Sequence, residues 1–179
     1  MITNPEILKQ LMQQGSLLPK EEMLEIARKK GSLFIGLPKE ISFQERRVAL
    51  VPETVSLLVA NGHRVLVETN SGEGSNFTDQ DYSEAGGEIC YDRKEVFSCN
   101  LIFKVAPPDE DEVEMMPGNQ TLISALQISI QPKIILQKLM EKKITAVAWD
   151  YIRDDSGVFP VVRTMGEIAG TTAMLVAGE

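Results

Sequence analysis

Histidine and tryptophan occur once each in this chain, and cysteine only twice. The two thiols, Cys90 and Cys99, form neither a CxxC nor a metal cluster, so they read as reduced thiols of a cytosolic protein. No metal-ligand spacing and no nucleophile elbow is present. Basic residues are also short: 18 Lys and Arg stand against 26 Asp and Glu, a net charge of −8. That balance argues against a nucleic-acid or acidic-membrane partner, which needs a basic face. No apolar run approaches the ~18 residues of a membrane span. The opening MITNPEILKQL carries an acid and lacks an apolar core, so it is not a signal peptide. Internal repeats, low-complexity tracts and long linkers are absent too.

What is present suits a globular domain with a small appendage: 179 residues, 43% apolar and 25% charged. Asn4 caps an expected helix that begins at Pro5 and stops at Gly15; Pro19 opens a second that stops at Gly31. This helical hairpin over residues 1–31 either packs on the main body or serves as a partner-binding arm. From Leu33 onward, short apolar runs alternate with helical stretches. LFIGL (33–37), RVLVE (64–68), NLIFKV (100–105), TLISAL (121–126) and TAVAWD (145–150) read as strands. Stretches 52–61, 79–85, 109–116 and 131–142 read as helices. Near-continuous apolar strands separated by helices predict an α/β fold. Its sheet is doubly wound and mostly parallel, Rossmann-like or flavodoxin-like, with helices on both faces.

In such sheets ligands collect outside the carboxyl ends of the strands. Lys39, Glu40, Glu45, Arg46 and Arg47 follow the first strand, Lys104 stands near the end of the third, Gln127 follows the fourth, and Asp150 ends the fifth. These are either solvated loop charges or a polar edge that grips a carboxylate through an arginine fork. Of the two arginines, Arg47 precedes the apolar Val48-Ala49-Leu50 and is expected to turn inward, with Arg46 solvated.

SGEGSNF (71–77) follows a strand, as a phosphate loop would, but it has no third glycine and carries Glu73 inside the turn. An acid there repels a pyrophosphate, so a turn needing positive φ is the expected role. His63, at the entry to a strand and without a partner motif, reads as structural.

Four stretches together resemble one family: IGLPKE…ERRVALVPETV, NGHRVLVETNSGEGSNFTDQDYSEAG, LIFKVAPP and MGEIAGTTAM. In this order, over about residues 33 to 179, they are similar to the N-terminal domain of alanine dehydrogenase and of the nicotinamide-nucleotide (NAD(P)) transhydrogenase alpha subunit. The resemblance implies a substrate-side domain over 32–162 and the start of an interdomain linking helix over 163–179. A second, nucleotide-binding domain would carry the glycine fingerprint; it lies outside this chain, which looks like one half of an enzyme.

It further implies that Arg47 binds the carboxylate of a small 2-oxo acid or amino acid. A second substrate lysine of the family falls on Ala106 here, with Lys104 two residues earlier on the same face as its candidate substitute. The family's proton-transfer histidine falls on Gln127, which hydrogen-bonds but exchanges no proton near neutral pH. The implied activity is NAD(P)-dependent oxidoreduction, L-alanine to pyruvate in the dehydrogenase branch and hydride transfer between nucleotides in the other. The lost lysine favours the second branch, the absence of any need for a membrane partner the first. A non-catalytic interaction domain is the third alternative. The cofactor, NAD or NADP, would be held by the parent protein's other domain. A cytoplasmic homo-oligomer without direct membrane insertion is the corresponding expectation.

Overall fold

The computed structural model describes residues 31–178. The chain divides into two compact units, residues 1–32 and 33–179. The helical hairpin expected over 1–31 falls outside the described residues; the second unit holds the sheet and the helices that cover it.

Six strands form one sheet: β1 (Phe34–Leu37), β2 (Arg64–Glu68), β3 (Glu88–Cys90), β4 (Leu101–Phe103), β5 (Thr121–Ser124) and β6 (Thr145–Ala148). All five pairings are parallel and the order is β3-β2-β1-β4-β5-β6. This is the doubly wound order of the Rossmann fold, and its direction reverses between β1 and β4. The helices are α1 (Pro52–Ala60), α2 (Asp79–Glu84), α3 (Arg93–Phe97), α4 (Glu110–Met115), α5 (Lys133–Glu141) and α6 (Pro160–Ala177). Single 3-10 turns occupy Glu73–Ser75 and Trp149–Tyr151.

Side-chain alternation splits the core into two layers. Ile35, Leu37, Val65 and Val67 face one way, onto Val55 of α1 and Tyr82 of α2. Leu66, Ile102 and Leu122 face the other, onto Val96 and Phe97 of α3, Val113 of α4, and Ile135 and Leu139 of α5. Each such side chain, fully covered, contributes about 1.5–3 kcal/mol. Gly36 lies between Ile35 and Leu37 and faces the α3 side, where a Cβ would collide with the Val96 carbonyl. Glycine there lets the helix lie against the strand. The buried Tyr82 hydroxyl donates to the Leu50 carbonyl at 2.8 Å and ties α2 to the loop before α1.

β3 and α3 were not expected from the sequence pattern. The strand has three residues with only Cys90 buried, and the helix five, both too short for a periodicity to emerge. Four of the five expected strands are shorter than the runs that announced them: β1 by one residue, β4 by three, and β5 and β6 by two each. The last helix starts at Pro160, three residues before the expected linking segment, with proline at its first turn. His63 closes the entry to β1: its Nδ1 accepts the Leu33 N–H at 3.3 Å.

Candidate functional site

The loop from Pro38 to Val51 leaves β1 where the strand order reverses, the place at which an open α/β sheet offers a crevice. A hollow of about 480 Å³ lies there, lined by Arg47, Val48, Phe103, Ile123, Trp149 and Met165, among others. The wall is apolar apart from Arg47, Ser75 and a border made by Lys104. Arg47 also borders a second, polar hollow of about 270 Å³ with Lys39, Glu40, Arg46 and Ser71.

Arg47 is half exposed, and its guanidinium is gripped by Glu45: Nε to Oε1 at 2.8 Å and Nη2 to Oε2 at 2.5 Å. Oε1 also accepts the Arg47 backbone N–H at 3.0 Å. The hydrogen-bonded guanidinium holds the Glu45 carboxyl below the usual carboxylate range. Arg46 is exposed, and its carbonyl accepts the Ser75 hydroxyl at 2.8 Å.

That bond exposes the work of the glycine-rich stretch. Neither Gly72 nor Gly74 has positive φ; the left-handed positions nearby are Asn70 and Asn76. The stretch is a turn with a positive-φ residue, as expected, but that residue is Asn76; the glycines serve close approach. A Cβ on Gly74 would stand 2.6 Å from the Arg46 carbonyl oxygen, and one on Gly72 would stand 2.6 Å from the Tyr82 ring. The 71–77 loop is a clamp on the arginine loop. It does not fit a nicotinamide dinucleotide, because both glycine faces are filled by protein.

Lys104 is fully buried. Its Nζ donates to Glu40 at 3.0 Å and to Glu112 at 2.8 Å, and neither carboxylate lines the larger hollow. Glu40 uses its other oxygen on the Val105 N–H at 2.5 Å. Glu112 continues to Arg93 at 2.5 Å, and Arg93 to Glu68 at 2.7 Å. Glu68 in turn accepts the Lys39 N–H at 2.8 Å. Five charges drawn from two strand ends, two helices and the first loop thus form one low-exposure network under the crevice. Glu68, Arg93 and Glu112 were missed by the sequence reading. Glu112 carried a signal, since Asp109-x-x-Glu112 is a capping box: Glu112 N–H donates to Asp109 at 2.8 Å and Asp109 N–H to Glu112 at 3.0 Å.

Gln127 is exposed, has φ of 44°, and does not line the larger hollow. The Asp150 carboxylate accepts the Leu126 and Gln127 N–H groups at 3.1 and 3.0 Å, so Asp150 secures this turn. Ala106, buried, offers no polar atom beyond its backbone at the position the resemblance assigns to a substrate lysine. Sequence reasoning placed Arg47 and Lys104 side by side at the strand tips, and the structure brings both to the border of one hollow. It gives them unequal freedom: no described residue bonds Arg47 Nη1, whereas the Lys104 ammonium is enclosed.

The comparisons with known proteins bear on the same segment. The family model described as alanine dehydrogenase/PNT, N-terminal domain, matches residues 36–169. The chain is 37% identical over 147 residues to alanine dehydrogenase of Bacillus subtilis, covering 82% of this chain and 38% of that protein. It is also 37% identical over 145 residues to alanine dehydrogenase 2 of Staphylococcus aureus USA300, covering 81% and 39%. A solved L-alanine dehydrogenase superposes with a TM-score of 0.74 at 36% identity, over 77% of this chain and 38% of that one. The transhydrogenase of Sinorhizobium meliloti gives 0.60 at 26%, over 66% and 35%. The chain thus spans less than two-fifths of the length of these relatives. With a match running from β1 into α6, this chain belongs to the alanine dehydrogenase/PNT N-terminal domain family.

Proposed function

We propose that this chain is the substrate-side half of an NAD(P)-dependent oxidoreductase of the alanine dehydrogenase type, interconverting L-alanine and pyruvate or a close analogue. The observation that carries the reading is Arg47, bordering an apolar-walled hollow at the topological switch point. There an arginine fork grips a carboxylate bidentately, and the apolar wall accommodates the rest of a small 2-oxo acid or amino acid. Lys104 contributes at the border, with its ammonium neutralising Glu40 and Glu112 rather than the guest.

Hydride chemistry would be supplied by a nicotinamide cofactor, NAD or NADP, bound by a separate nucleotide-binding domain that this chain serves as the acid-holding wall. Gln127 donates or accepts hydrogen bonds, so the protons of imine formation and reduction fall to water, the substrate amine or a group of that other domain. The parent enzyme is read as a cytoplasmic homo-oligomer. Among the described residues no helix is long and apolar enough to cross a membrane.

The test is isothermal titration of pyruvate, alanine and NADH into the chain and into Arg47→Ala. Pyruvate binding that weakens by about 2–5 kcal/mol in the variant supports the reading. No 2-oxo acid binding at millimolar ligand, and no effect of the variant, would overturn it in favour of a non-catalytic interaction domain. A transhydrogenase-type role is the second reading, favoured by Ala106 at the lysine position and by the solved transhydrogenase neighbour. It is distinguished by hydride exchange between NADH and NADP analogues once the nucleotide-binding partner is supplied.

A further inference from the structure

We propose that Glu45 is a positioning residue for Arg47, holding one edge of the guanidinium so that the other is presented to the guest carboxylate. The inference rests on the reading of Arg47 as the carboxylate anchor. A guanidinium has two edges able to bind a carboxylate in parallel, Nε with Nη2 and Nη1 with Nη2. Glu45 occupies the first edge with both of its oxygens. Its Oε1 simultaneously accepts the Arg47 backbone N–H, so a single carboxylate fixes the loop and the side-chain rotamer two residues further on. No described residue bonds Nη1. The Glu45 side chain is 12% exposed and that of Arg47 49%, so the clasp is covered while the arginine remains accessible.

The same contact could be read as competition, with Glu45 holding a fork that the guest must win back. The geometry favours positioning. The edge Glu45 takes includes Nε, and the edge left over needs only Nη1 and the second proton of Nη2. Presetting a flexible arginine removes the ordering cost that binding would otherwise meet. The clamp from Ser75 and Gly74 on the Arg46 backbone holds the residue next to Arg47 as well. Glu40 is the other acid whose charge acts on Arg47, and Lys39 and Arg46 border the polar hollow beside it.

Glu45→Gln isolates the clasp. Its amide oxygen still accepts the Arg47 N–H and Nε–H, but its NH2 opposes Nη2. Titration of pyruvate into the 179-residue chain is expected to show affinity reduced about three- to tenfold in Glu45→Gln, the cost of ordering one long side chain on binding. Thermal unfolding should stay within about 2 °C of the parent, less than the shift a 1 kcal/mol loss produces. In nitrogen-edited NMR spectra at low temperature the Arg47 Nη2 protons, identified by their loss in Arg47→Ala, should be resolved and held from rotation in the parent and averaged in Glu45→Gln, while the Nε–H signal persists. Glu45→Asp, too short to reach both nitrogens while keeping the backbone bond, should fall between.

Unchanged or tightened pyruvate binding in Glu45→Gln, alongside a loss in Arg47→Ala, overturns the positioning role and leaves the anchor standing. If Arg47→Ala changes nothing, the anchor itself fails, and the role of Glu45 falls with it.

Discussion

Glu40 and Lys104 meet across the strand reversal, 3.0 Å apart with side chains 5% and 0% exposed, and Glu40 also accepts the N–H of the residue after its partner. The contact pins the loop that follows β1 to the end of β4. The two sides of the crevice thereby become one mechanical unit.

Lys104→Met keeps the volume of the stem and removes the charge. It leaves Glu40 and Glu112 buried with one cation fewer, and a broken buried pair costs about 3–5 kcal/mol. Urea unfolding followed by circular dichroism should show that loss. A change below about 1 kcal/mol would mean the network is open to water and worth no more than a surface pair.

Gly74→Ala places a methyl group 2.6 Å from the Arg46 carbonyl oxygen. The arginine loop has to shift, at a cost of about 1–3 kcal/mol. Because Arg47 rides on that loop, pyruvate affinity should fall in the same variant. Titration and thermal melting are to be read together, and loss of stability with unaltered affinity would separate the clamp from the site.

Burial pushes the Cys99 thiol from 9.0 up to about 12, with the nearby acids Glu95 and Glu88 acting the same way, and pushes the Tyr82 hydroxyl from 10.0 up to about 12. Cys90 is raised as well. A raised folded-state value favours the native state below the unfolded pKa, and that contribution is lost as pH climbs toward the folded one. Stability should therefore decline from about pH 9 upward, and less steeply in Cys99→Ala. At about pH 8, below the ordinary thiol value, an aromatic disulfide reagent should find neither thiol in the native chain and both in urea.

Asp150→Ala removes the acceptor of two backbone N–H groups and should cost about 1–3 kcal/mol. Hydrogen exchange at Leu126 and Gln127 should quicken before that of the β5 interior. Uniform acceleration across the sheet would show that the turn is not a local element.

How much of the fold was legible in the sequence varies with the length of the signal. Five of the six strands announced themselves by apolar runs, and the parallel doubly wound sheet followed from their alternation with helices. β3 and α3 did not, because three and five residues carry too little periodicity. The gathering of polar groups at the strand tips was readable, since those positions follow from the topology. Their pairing was not: Arg93 reaches Glu68 over 25 positions and Lys104 reaches Glu40 over 64, and nothing local encodes such reach. Gly72 and Gly74 were visible as glycines, but positive φ and close approach look alike in sequence, and only packing tells them apart.

The chain of contacts from Glu40 through Lys104, Glu112 and Arg93 to Glu68 has a consequence for how this sequence can drift. A lone replacement leaves a buried ion with a partner fewer, so single steps from it are expected to cost stability that paired ones do not. A library randomised at these five positions and sorted for folded chains should return correlated exchanges, such as two opposite charges giving way together to an apolar couple. The neighbouring surface positions should mutate freely and independently. The base of the crevice would then evolve by jumps, and its rim by small increments.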